Sequence, residues 1–149
     1  ILISSMQQLL EKAISIALKA HSGKTDKGGN PYILHPLRLM ITMQTTEEKI
    51  VALLHDVVED STTTIQQLKD EKFPQRILTA VSLLTKKEKQ EYSDYILAIK
   101  KNTLATKVKL ADLKDNMNPM RLKNVAEADK QRIKKYKAAY KLLTTPNYS

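Results

Sequence analysis

The chain has 149 residues, enough for one domain with a real core. It contains no cysteine, which removes disulfides and thiolate chemistry and fits a reducing, cytoplasmic setting. The net charge of +9 favours anionic partners, while one Phe and no Trp supply little for stacking the bases of single-stranded nucleic acid.

No apolar run approaches the roughly 20 residues of a membrane span. The opening Ile1-Leu2-Ile3 is short, lacks a basic flank and runs into a polar helix, so a signal peptide is not expected. A start on Ile rather than Met points to a missing or processed N-terminus. Met6, Leu9, Leu10, Ala13, Ile14, Ala17 and Leu18 then form one helical stripe, predicting a first helix over 4–21. His21 at its end suits dipole and packing roles.

All three glycines, Gly23, Gly28 and Gly29, fall in the following loop, 22–31. Their absence elsewhere argues against tight hairpins and a sheet. Pro36 predicts a second helix over 36–44. Thr46 is placed to cap a third, with Glu47 and Glu48 at its positive end, and this helix carries Ile50 through Asp60. Thr64 and Gln67 form a capping-box pattern for a short helix over 65–71. Further helices are predicted over 74–84, 94–101, 104–116 and 126–143. The expected fold is all-α: a compact helical bundle forming a single domain over 1–149.

The third helix carries the sharpest chemical signal. His55-Asp56 lies in the apolar run Val51-Ala52-Leu53-Leu54-His55-Asp56-Val57-Val58, with Glu59 and Asp60 next. A carboxylate in an apolar setting is costly unless a cation compensates it. On a helix His55 and Asp56 project about 100° apart, and Glu59 and Asp60 repeat them one turn on. His35, on a Pro-stiffened turn, and Asp112, inside the apolar helix over 104–116, complete the set. Two imidazoles and two carboxylates suit Mn, Fe, Co or Zn, and the oxygen-rich share leans away from a closed structural zinc site. Glu59 or Asp60 is placed to take a proton from water beside such an ion. Lys24, Lys27 and Lys109 offer charge to offset phosphoryl oxygens.

The order His35, His55-Asp56, Asp112 resembles the HD superfamily of metal-dependent phosphohydrolases. The wider set resembles the hydrolase domain of RelA/SpoT proteins and the small alarmone hydrolases. It comprises Ala20-His21-Ser22-Gly23, Pro31 to Pro36, Leu53 to Asp60, Leu84-Thr85-Lys86 and Lys109 to Asp112 with Asn116. The resemblance implies Mn²⁺, or another divalent transition metal, and removal of the 3′-pyrophosphate from guanosine tetra- or pentaphosphate. It makes His35, His55, Asp56 and Asp112 the metal ligands and Glu59 and Asp60 the catalytic pair. Asn116 and Lys27 would lie near the substrate. Such hydrolases carry an Arg-Lys pair in the first loop, where this chain has Asp26-Lys27. Asp26 is then expected to meet the base or sugar.

Two other functions stay open. Asp26 favours another phosphorylated nucleotide, such as NADPH. A non-catalytic nucleotide-binding module is the third reading, against which the Glu59-Asp60 pair stands. The segment 121–141 carries eight basic residues against two acidic ones. It reads as a solvated lysine-rich helix face, with an electrostatic funnel for an anion as the alternative. Nucleic acid and membrane are not expected partners, and the sequence is silent on oligomeric state.

Overall fold

The first helix, α1, spans Leu2–Ala20 and is followed by α2 (Leu34–Thr42), α3 (Thr46–Leu54), α4 (Val57–Asp60) and α5 (Ile65–Asp70). Then come α6 (Gln75–Leu84), α7 (Tyr92–Lys100), α8 (Thr103–Asn116), a 3-10 turn (Pro119–Arg121) and α9 (Glu127–Thr144). The computed structural model describes residues 2–121 and 126–147; Ile1 of the apolar start and Lys123 of the basic run lie outside them. Among the described residues there is no strand, only one isolated bridge, Thr25 to Pro31. The all-α expectation is met.

The centre of the bundle is α3. Ile50, Val51, Ala52, Leu53 and Leu54 have no solvent exposure, so the second half of the helix is apolar all round, and the helix packs against α1, α2, α6 and α8. Its cap is Thr45, one residue before the predicted Thr46. Thr45 Oγ1 accepts from Glu48 N at 3.1 Å and Glu48 Oε1 accepts from Thr45 N at 2.9 Å. Glu48 sets the register, because only a residue three positions before it can close the reciprocal pair.

The predicted single helix through Asp60 is in fact broken. It ends at Leu54 and restarts as α4 at Val57. His55 Nδ1 hydrogen-bonds the Ala52 carbonyl at 2.6 Å, the carbonyl a continuing helix would offer to Asp56 N. His55 and Asp56 therefore occupy a turn rather than a helical strip.

The loop between α1 and α2 is folded on itself. Asp26 N donates to Asn30 O (2.8 Å), Gly29 N to Asp26 O (3.0 Å) and Tyr32 N to Lys24 O (2.9 Å). Gly23 and Gly29 take φ of +76° and +84°, which a side chain would resist. The helix after this loop starts at Leu34, two residues earlier than predicted, so His35 stands in its first turn.

Candidate metal centre and cavity

Three elements bring the four predicted ligands together. The first turn of α2 supplies His35, the break between α3 and α4 supplies His55 and Asp56, and α8 supplies Asp112. One donor atom from each lies within 4.8 Å of all the others. Asp112 Oδ1 is 2.8 Å from His35 Nε2 and 3.2 Å from His55 Nε2. Asp56 Oδ2 is 3.0 Å from His55 Nε2 and 3.9 Å from His35 Nε2. His35, His55 and Asp112 are each 4 % exposed or less. A buried cluster of imidazole nitrogens and carboxylate oxygens is the donor chemistry that a divalent transition metal takes.

The electrostatics agree. Burial alone would raise the Asp56 carboxyl, but His55 beside it holds it down to about 2. Burial likewise opposes charge on Asp112, and Lys109 and His55 overcome it, keeping Asp112 well below the usual range. Burial would lower His55, yet Asp56 and Asp112 push it well up. The cluster attracts positive charge, whether proton or metal ion.

Around the donors lies a ring of supporting groups. Tyr32 Oη donates to Asp56 Oδ2 at 2.5 Å, and burial followed by the Asp56 charge raises its pKa, so it stays a donor. Lys109 Nζ meets Asp112 Oδ2 at 2.9 Å. Asn116 Nδ2 donates to Asp112 Oδ1 at 3.1 Å. His35 Nδ1 faces Asp115 Oδ2 at 2.6 Å, and Arg38 holds Asp115 with two bonds, 2.9 and 3.0 Å.

Asp56 and Asp112 open onto a cavity of about 490 Å³. Glu59 and Asp60 stand on its wall. Glu59 Oε1 accepts the Lys86 amide at 2.8 Å, which fixes one of its oxygens. Burial first, then the charges of Asp56 and Glu59, push Asp60 up to about 6.

The expected substrate-side residues divide. Asp26, Lys27, Lys109 and Asn116 line this cavity, but each has a protein partner. Asp26 Oδ1 accepts from Asn30 N (2.9 Å), and its Oδ2 lies 3.8 Å from Arg121 Nε. Lys27 Nζ pairs with Asp129 Oδ1 at 3.0 Å. Lys24 lies outside the cavity lining, its Nζ on the Asp60 carbonyl. His21 is buried and packs beside Tyr32, ring centroids 4.8 Å apart.

The cavity also draws on residues that sequence reasoning left in other roles. Tyr136 lines it, as do Tyr92, Lys86 and three members of the basic segment, Arg121, Arg132 and Lys135. Asp115 and Arg38 were not singled out at all. The i, i+3, i+4 spacing of Asp112, Asp115 and Asn116 on α8 was the available signal. No described helix is long and apolar enough to cross a membrane.

No family model matches the chain. The guanosine-3′,5′-bis(diphosphate) 3′-pyrophosphohydrolase of Aquifex aeolicus is 31% identical over 123 residues, covering 74% of this chain and 18% of that protein. The GTP pyrophosphokinase rsh of Brucella ovis is 34% identical over 129 residues, 76% of this chain and 17% of that protein. The bifunctional (p)ppGpp synthase/hydrolase SpoT of Escherichia coli is 30% identical over 126 residues, 74% of this chain and 18% of that protein. The chain thus spans less than a fifth of the length of these relatives. Among solved structures, a metazoan SpoT orthologue described as hydrolysing ppGpp shares the fold. Its TM-score is 0.72 at 18% identity, over 91% of this chain and 84% of that one.

Proposed function

The chain is similar in sequence and in fold to the HD hydrolase domain of the RelA/SpoT proteins, and from that premise we propose that it removes the 3′-pyrophosphate of guanosine tetra- or pentaphosphate. The observation that carries this reading is the convergence of His35, His55, Asp56 and Asp112, with Asp56 and Asp112 lining a cavity that also holds Glu59 and Asp60. A binding module has no need of a carboxylate pair beside a metal site. Manganese is the ion of this reading. A divalent ion held by the four residues, when bound, supplies an acidified water and offsets charge on phosphoryl oxygens.

The protein's own groups do the rest. Glu59 or Asp60 takes the proton of the attacking water. The water oxygen forms a bond to the phosphorus next to the 3′ oxygen, the phosphorus–3′-oxygen bond breaks, and that oxygen leaves with a proton. Guanosine di- or triphosphate and pyrophosphate are the products. Lys86, Lys135, Arg132 and Arg121 on the cavity wall counter the phosphate charge, and Tyr92 and Tyr136 give the nucleoside flat apolar surface.

The test is a panel of phosphorylated nucleotides incubated with the Mn²⁺-loaded chain, products resolved by chromatography. Pyrophosphate and guanosine diphosphate from guanosine tetraphosphate support the reading. Turnover of NADPH or another 2′- or 3′-phosphorylated nucleotide alone moves it to the second substrate class, which the carboxylate at Asp26 favours. No turnover of any member, with metal bound, leaves the chain a binding module.

A further inference from the structure

His35 is contested at its outer nitrogen. Its Nε2 faces the donor cluster, 2.8 Å from Asp112 Oδ1. Its Nδ1 lies 2.6 Å from Asp115 Oδ2 and 3.3 Å from Arg121 Nη1. These two neighbours make opposite demands. A carboxylate only accepts, so it needs the ring proton on Nδ1; a guanidinium only donates, so it needs Nδ1 bare. Asp112 Oδ1 by the same rule draws a ring proton to Nε2; an ion bound at the cluster would take that proton's place and leave the neutral imidazole one ring proton. With that proton on Nδ1, Nε2 offers its lone pair to the cluster. With the proton on Nε2, the ring cannot ligate through that atom.

The surroundings settle the contest for Asp115. Its contact is the shorter one, and Arg38 pins both of its oxygens. Arg121 is occupied elsewhere: Nη1 donates to Asn116 Oδ1 at 2.6 Å and lies 3.1 Å from Asp115 Oδ2. Asp112 and Asp115 are three residues apart on α8, so one helix face carries both a donor and the group that orients its neighbour.

We propose that Asp115 is a positioning residue for metal binding: it selects the His35 tautomer that ligates through Nε2, and Arg121 is the competitor that takes Nδ1 when Asp115 is lost. The proposal rests on the metal reading above. Its distinctive consequence is a sign. Removing Arg121 leaves metal affinity unchanged while Asp115 is present, because Arg38 still holds the carboxylate. Removing Arg121 helps when Asp115 is absent, because it frees Nδ1 to carry the proton.

The experiment is calorimetric titration with Mn²⁺ of the full chain and of Asp115→Leu, Asp115→Asn, Arg121→Leu and the double Asp115→Leu/Arg121→Leu variant. Loss of a carboxylate behind a metal-ligating histidine typically costs about 10- to 100-fold in affinity, the loss expected for Asp115→Leu. Asp115→Asn keeps an acceptor oxygen and loses less, which also covers a failure of the Leu variant to fold. Arg121→Leu stays within about twofold of the unsubstituted chain, and the double variant regains part of the loss, a favourable coupling between neighbouring sites. A purely structural Asp115 makes the double variant as weak as the single one or weaker. That result, or unchanged affinity in both Asp115 variants, overturns the proposal while the metal reading stands. Failure of the unsubstituted chain to bind Mn²⁺ overturns the metal reading and this proposal with it.

Discussion

Asp26 and Arg121 join the first loop to the 3-10 turn after α8, Arg121 Nε lying 3.8 Å from Asp26 Oδ2 at the cavity wall. In this pair the guanidinium comes from the turn, and the loop contributes the carboxylate. Gly28 makes the approach possible: a Cβ there would sit 2.5 Å from the Arg121 carbonyl oxygen. Backbone atoms cannot swing aside as a side-chain end can. Gly28→Ala is therefore expected to cost about 1–3 kcal/mol in denaturant unfolding, the range for overpacking. The same substitution at Gly23, where nothing lies within 4 Å, meets only the strain of its φ of +76°.

Metal content tests the centre directly. Protein purified without chelator is expected to carry one divalent ion per chain, with Mn²⁺ raising the thermal midpoint in proportion to the logarithm of its concentration above Kd. Asp56→Ala and Asp112→Ala should abolish both effects. Normal stoichiometry in either variant would remove that residue from the ligand set.

Glu59 and Asp60 are expected to act on the reaction rather than on metal retention. Glu59→Gln keeps an oxygen for the Lys86 amide, so fold and metal content are retained. Its kcat is expected to fall by roughly 10²-fold or more, the scale of lost general-base catalysis. Asp60→Asn is the parallel test, and stopped-flow or steady-state release of pyrophosphate is the readout. A full-rate Glu59→Gln assigns the base to Asp60.

The basic segment divides by position. Lys135 lines the cavity with its Nζ 4.3 Å from the Tyr92 ring centroid, whereas the exposed Lys134 and Lys137 are absent from the lining. Removing Lys134 and Lys137 together is expected to leave kcat/KM within about twofold at moderate salt. Lys135→Ala should lower kcat/KM several-fold and flatten its salt dependence. Equal effects of all three would restore the picture of a diffuse funnel.

The cap of α3 carries a pH signature. Burial alone would raise Glu48, but hydrogen bonds from Lys107 and from the Thr45 and Gln44 amides hold it down to about 2. A depressed carboxyl contributes stability above its unfolded pKa of about 4.3, and loses it as pH falls toward the folded value. The stability difference between the native chain and Glu48→Gln is thus expected to be constant above pH 5 and to shrink between about pH 4 and 2. Thr45→Ala should cost about 1 kcal/mol of cap energy, against little for Thr46→Ala.

The sequence by itself determined the all-α class, most helix spans and the four residues that converge in the buried cluster. Each of these is a local property. Apolar spacing is read within a few turns, and His55-Asp56 and Asp112 stand out because ionisable groups sit in apolar runs. Even locally, competition was invisible: whether His55 continues the helix depends on its ring reaching the Ala52 carbonyl, and whether Thr45 or Thr46 caps depends on which one Glu48 can answer. Tertiary structure alone decided the rest, because the partners are far apart in the chain. His35 meets Asp115 across 80 positions and Lys27 meets Asp129 across 102. Charge and periodicity do not say which of many lysines and aspartates will face one another. The contacts of the 3-10 turn and of α9 with the first loop do: they set Asp26 beside Arg121 and Lys27 beside Asp129, while Tyr136 of α9 stands on the cavity wall.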